Sequence, residues 1–251
     1  MKDFESWEIS DCHVHFGQCE MGLALKLSQE DILNYAVQYG LKKLLVFPYG
    51  VDIKPRNREL VDFANANSGI FGLLRFQAFS DEHIEAFLAL LGVSKKIVGV
   101  KLHPSGDRIP ITHAVFDSLF KALNDLKAIC LVHCGRWREV SDYSFVFKRA
   151  KEFPDIRFII AHMGGNEVEN SRGAILQALA AQNVFLDTSN CRLSALIKEA
   201  VDRIGAEKII FGTDYNWGSF MANFYTVLEA PISDDQKKLI FHENLSRLLS
   251  Q

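Results

Sequence analysis

Short apolar runs rich in β-branched residues and phenylalanine recur along the chain, each followed by a turn and a stretch with helical spacing. The runs occupy residues 8–15, 43–47, 70–76, 97–103, 128–133, 156–162, 183–187 and 208–214. Pro48 and Pro104 are read as the ends of the second and fourth. Between the runs the pattern predicts helices. The first is capped by Ser28 with Asp31, runs to Tyr39 and is stopped by Gly40. Further helices are expected over 57–67, 81–91, 113–126, 141–153, 173–181 and 193–204, and from Asp214 onward, broken at Pro231. Eight strand-plus-helix units with near-continuous apolar strands predict an α/β chain folded as a parallel (β/α)8 TIM barrel. An open doubly wound sheet seldom needs eight alternations. With no linker or shift of composition, residues 1–251 read as a single domain.

Polar residues gather at the ends of these runs. In a barrel all strands point the same way, so their ends share one rim, where active sites sit. His13 and His15 close the first strand, Lys101 and His103 the fourth, and His133 the fifth. His162 ends the sixth, Asp187 the seventh and Asp214 the eighth. Strand alternation places Asp11, His13 and His15 on one face. Burying so many ionisable groups without compensation is costly, and a divalent cation with N and O ligands compensates. The expected inner shell is His13, His15, His133 and Asp214 around zinc. His162 is a further ligand or a neighbouring neutral imidazole, and Asp11 orients a ligand from deeper in the strand. Cys12 and Cys134 adjoin histidines, but alternation turns them to the opposite face as apolar filler.

Composition narrows the function classes. The net charge is −3 with no run of lysine or arginine, which argues against a nucleic-acid partner. No apolar run approaches a membrane span and no apolar leader opens the chain. Five cysteines without C-x-x-C spacing read as reduced thiols, so the expected compartment is cytoplasmic.

The ordered motifs Asp11-Cys-His13-Val-His15, Gly99-Val-Lys-Leu-His-Pro104, His133-Cys-Gly135, Ile160-Ala-His-Met-Gly-Gly165, Phe211-Gly-Thr-Asp-Tyr215 and Asn244-Leu-Ser-Arg-Leu-Leu249 span nearly the whole chain. In them the sequence resembles the amidohydrolase superfamily, and most the amidohydrolase-2 branch that includes the aminocarboxymuconate-semialdehyde decarboxylase type. The resemblance implies a barrel with zinc or another divalent ion on His13, His15, His133 and Asp214, and His162 as a catalytic histidine. Lys101 stands near the position where some members bridge two metals. TatD-type nucleases share the H-x-H opening but carry a bridging Glu that is absent here.

The implied activity is hydrolysis of a small-molecule amide, lactone or ester by a metal-activated water, with Asp214 transferring the proton and His162 helping to polarise the carbonyl. The alternative is decarboxylation of a small carboxylic acid on the same ligands, and a second is a non-catalytic barrel that binds a metal or small molecule. Lys101, His103, Arg136, Trp137 and Tyr215 are the candidate substrate contacts. Arg136, Arg75 and Arg192 are each weighed as carboxylate clamps, and Tyr143 and Trp217 as rim aromatics. Asn244 and Arg247 are expected to close the barrel, and His83, His113 and His242 to be structural. The sequence leaves the oligomeric state open; a homodimer is a candidate, since dimers are common in families of this kind.

Overall fold

The computed structural model describes residues 3–18, 26–50, 53–78 and 84–250. Eight parallel strands follow one another in sequence order: β1 (Asp11–Gln18), β2 (Leu44–Gly50), β3 (Ile70–Arg75), β4 (Ile97–Leu102), β5 (Ile129–Val132), β6 (Arg157–Ile160), β7 (Val184–Asp187) and β8 (Ile209–Ile210). The ring is closed by main-chain bonds between β1 and the segment after β8. Cys12 N donates to Phe211 O at 3.0 Å, Tyr215 N to His13 O at 3.2 Å and His15 N to Tyr215 O at 2.8 Å. A parallel (β/α)8 barrel results, as the eight alternations require. A two-residue strand, Lys26–Leu27, adds antiparallel to the end of β1.

Helices follow the strands: α1 (Gln29–Tyr39), α2 (Ile53–Ala66), α3 (Ile84–Leu91), α4 (Asp117–Asp125), α5 (Ser144–Glu152), α6 (Val168–Ala178), α7 (Ser194–Ile204) and α8 (Phe220–Leu228). The ends of α1 are written in its sequence. Ser28 and Asp31 form a reciprocal capping box, and Gly40 at φ 65° closes the last turn. Residues 79–83 lie outside the description, and with them the expected start of α3 and His83.

Several boundaries differ from the sequence pattern: α2 begins at Ile53 rather than at 57, and β1 runs on past His15 to Gln18. β2 continues through Pro48 to Gly50, because beyond Val46 its pairing is with β1 alone (Phe16 with Pro48) and the missing N–H is tolerated on the free side. Helix α6 begins five residues before Gly173, which lies mid-helix because Tyr143 packs against it: a Cβ there would stand 1.9 Å from the Tyr143 hydroxyl. The fourth run ends at Leu102, since His103 caps a short helix, Pro104–Asp107, by accepting from Gly106 N at 2.9 Å. The eighth run is laddered only over Ile209–Ile210, and Asp214 sits beyond it with a left-handed φ of 61°.

Two apolar layers hold the barrel. Cys12, Leu45, Phe47, Leu73, Ile129, Leu131, Ile159 and Ile210 form one buried cluster, drawn from alternate strand positions and closed by Leu245 and Leu248. A larger cluster joins the other strand face to the helices. Asn244, fully buried, donates to the carbonyls of Ala206 and Ile209 at 2.8 and 2.7 Å, and Arg247 reaches Asn244 Oδ1 and Glu207 O at 3.0 Å. The last helical segment is thereby tied under β8. Among the described residues no helix is long and apolar enough to cross a membrane.

Candidate metal centre

The H-x-H pair is built by an irregular strand. Register slips between Asp11 and Val14, so simple alternation fails at the start of β1. The Asp11 carboxylate turns away from the imidazoles, accepting from Tyr35 Oη at 2.7 Å, Thr213 Oγ1 at 2.5 Å, and the amides of Thr213 and His13 at 3.1 and 2.9 Å. It therefore locks the backbone of β1 to α1 and to the segment carrying Asp214. Burial pushes its pKa up to about 6 despite these donors.

The imidazoles converge on one carboxylate. His15 Nε2 lies 2.7 Å and His13 Nε2 3.2 Å from Asp214 Oδ1. Asp214 Oδ2 accepts from Asn190 Nδ2 at 2.6 Å. Burial raises the Asp214 pKa, but His13 and His15 outweigh it and hold the carboxyl well below the usual carboxylate range. Burial drives His15 down to about 4. At His13, burial and Lys101 disfavour the imidazolium while Asp187 and Asp214 favour it, and the carboxylates prevail. Lys101 Nζ stands 3.4 Å from His13 Nε2 and above the Phe47 ring, and burial lowers its pKa to about 8.

A second carboxylate supports these rings from behind. Asp187 Oδ2 accepts from His13 Nδ1 at 2.7 Å, while Oδ1 accepts from the amides of His162 and Ser189 at 2.9 Å each and from Ser189 Oγ. Asp187, rather than Asp11, is therefore the carboxylate that holds the His13 ring. Ser189 and Asn190 were missed altogether, because no run ends on them and only the turn after β7 brings them in.

His162 Nε2 meets His133 Nδ1 at 3.1 Å, and His133 stacks on His103 with ring centroids 4.1 Å apart. Burial lowers the pKa of all three rings. His162 lies at φ 57° and Asn190 at φ 56°, and with Asp214 they make three site residues in the left-handed region. Such conformations are sparsely populated and persist where surroundings overdetermine them.

These groups open on a cavity of about 220 Å3 lined by His15, Tyr49, His103, His133, Arg136, His162, Asp214 and Trp217. Lys101 lies behind it, buried. Trp137 is partly exposed beneath the guanidinium groups of Arg108 and Arg136, and Tyr215 stacks on Tyr35 at 3.7 Å; neither lines the cavity. Arg75 is taken up by Asp107 at 2.5 Å, and Arg192 is exposed. His113 caps a 3-10 turn, and His242 bonds Ser10 and Ser246. Cys12 and Cys134 are buried free thiols.

The donor set fits a divalent cation. His13, His15 and Asp214 each offer a buried ligand atom, all within 4.8 Å of one another. Two carboxylates flank His13, so positive charge is favoured where its Nε2 faces Asp214. His133 Nε2 is buried without a hydrogen-bond partner in the described structure. Two nitrogens and a carboxylate oxygen suit zinc or manganese.

No curated protein matches the sequence. Among solved structures, the chain is similar to 2,6-dihydroxybenzoate decarboxylase from Rhizobium, with a TM-score of 0.77, 12% identity, and coverage of 97% of this chain and 99% of that one. It is also similar to 5-carboxyvanillate decarboxylase from Novosphingobium aromaticivorans complexed with manganese, with a TM-score of 0.77, 10% identity, and coverage of 98% and 97%. A third is a putative 2-pyrone-4,6-dicarboxylic acid hydrolase from Pseudomonas putida, with a TM-score of 0.75, 15% identity and 97% of both chains covered. At these identities the likeness is one of fold. The amidohydrolase family model Amidohydro_2 matches residues 10–250, and on that match the chain is an enzyme of the metal-dependent amidohydrolase family.

Proposed function

We propose that residues 1–251 form one catalytic domain, a metal-dependent hydrolase of a small-molecule amide, lactone or ester. The observation that carries this reading is the convergence of His13 Nε2 and His15 Nε2 on Asp214 Oδ1, beside a cavity sized for a small molecule. His13, His15, His133 and Asp214 would hold the cation. When bound, a divalent cation there supplies a Lewis acid and makes water nucleophilic near neutral pH.

The remaining chemistry belongs to the chain. Asp214, held ionised by His13 and His15, takes a proton from the attacking water and returns it to the leaving group. Asn190 holds the second carboxylate oxygen, leaving the first toward the imidazoles. His162 and His133, bonded to each other, orient the substrate as part of the cavity wall. Tyr49, His103 and Trp217 offer ring surfaces to a planar substrate, and Arg136 offers a fork for an anionic group.

Decarboxylation is the second reading. It is favoured by Arg136 beside these rings, a setting for an aromatic carboxylate, and by the names of the two similar decarboxylases. Zinc is the expected ion, and manganese in one similar structure makes it the competitor to test. The protein, stripped and reloaded with zinc or manganese, is assayed on lactones, amides and aromatic carboxylic acids. Ring opening or amide cleavage with incorporation of labelled water supports the hydrolase; release of CO2 without it replaces that reading with the second. Full turnover after chelation would overturn both.

A further inference from the structure

Donor and acceptor bookkeeping behind the cavity determines where the protons of two histidines sit. Ser189 Oγ bonds Asp187 Oδ1, which already accepts from the amides of His162 and Ser189 and so is an acceptor here too, and the hydroxyl proton is spent there. Ser189 Oγ therefore meets His162 Nδ1, 2.9 Å away, as an acceptor. Among the described residues, the only other polar atom against that nitrogen is the Ser189 carbonyl at 3.3 Å, again an acceptor. Both contacts require His162 to carry its proton on Nδ1. In a neutral ring, Nε2 is then a bare lone pair. His133 Nδ1, 3.1 Å from it, must donate, which strips His133 Nε2 in turn. That Nε2 is the buried atom without a partner, on a side chain that lines the cavity.

The geometry points to Ser189 as a positioning residue: through one hydroxyl, which meets Asp187, His162 and, at 3.2 Å, His13 Nδ1, it sets the tautomers of His162 and His133 and leaves His133 Nε2 as a bare acceptor beside the cavity. The inference rests on the metal-dependent reading for its consequence, but its tautomers exist without any ion. It also assigns His162 Nε2 as an acceptor, so polarisation of a substrate carbonyl falls to the cation. The arrangement is sequential. Asp187 orients the serine, the serine orients one imidazole, and that imidazole orients the next.

The test is long-range proton–nitrogen NMR of the metal-free, full-length chain with 15N-labelled histidine at neutral pH. The wild type is expected to show His162 and His133 each protonated on Nδ1 and bare on Nε2. Ser189→Ala is expected to mix both tautomers and weaken zinc binding about 10- to 100-fold, and Ser189→Thr, which keeps the hydroxyl, to restore them. A wild-type His133 protonated on Nε2 overturns the inference without any variant, as does a folded Ser189→Ala chain with unchanged spectra. Failure of the hydrolase reading would show in metal content and turnover. Failure of the relay would show in the metal-free spectra.

Discussion

Asp187 and Asp214 sit on opposite nitrogens of His13, and their different surroundings give them different work. Asp187 is fully enclosed and saturated by donors from three residues, so it fixes geometry. Asp214 borders the cavity and keeps Oδ1 toward the imidazoles, so in the proposed reaction it is the carboxylate that would handle protons and the cation. Asp187→Asn is expected to weaken zinc binding about 10- to 100-fold by removing the acceptor from His13, measured by competition with a chromogenic chelator. Asp214→Asn is expected to abolish turnover even where metal binding partly survives; near-wild-type turnover would refute its proton-transfer role. His15→Ala should lose metal and activity together, and retained full metal content would contradict its assignment as a ligand. The expected ligands His13, His15, His133 and Asp214 were all read from strand ends. The orientation of His13 was not, because a register slip at Asp11 depends on tertiary pairing.

At the scale of elements, local chemistry and tertiary contact divide along similar lines. The ends of α1 follow from Ser28, Asp31 and Gly40, whose side chains or backbone freedom act within a few residues. The start of α6 does not, since the sequence pattern opens that helix only at Gly173 until Tyr143, just before α5, is placed against it. Gly173→Ala is therefore expected to destabilise the fold by about 1–3 kcal/mol through overpacking, seen as a lower denaturation midpoint with zinc affinity retained in the folded chain. An unchanged midpoint would mean that Tyr143 yields without cost. Pro48 makes the converse case. Its ring suggests a strand end, but pairing to β1 on one side alone lets β2 run on to Gly50, bringing Tyr49 to the cavity.

For the whole molecule, closure of the barrel brings the two halves of the site together. β1 supplies two histidines, and the segment after β8 supplies Asp214, 199 residues from His15. Main-chain bonds from Cys12, His15 and Tyr215 and the side-chain lock at Asp11 hold that seam. Asn244 fastens the final helix beneath it. Asn244→Ala should cost about 1–3 kcal/mol by leaving the Ala206 and Ile209 carbonyls without their donor, read by urea unfolding, while turnover per folded molecule is kept. A loss of turnover without loss of stability would place Asn244 in the site itself.

The sequence by itself determined the alternation of strands and helices, the barrel that follows from it, and the rim residues that a cation would unite. These are properties of hydrophobic period and residue type, and they act locally or through topology. Only the tertiary structure decided which carboxylate supports which imidazole, that Ser189 and Asn190 belong to the centre, and that Tyr215 packs on Tyr35 outside the cavity. Hydrogen-bond partners more than 170 residues apart, and left-handed turns at His162, Asn190 and Asp214, leave no periodic trace in the chain. They are set by distances of a few tenths of an ångström, which exist only after the ring has closed.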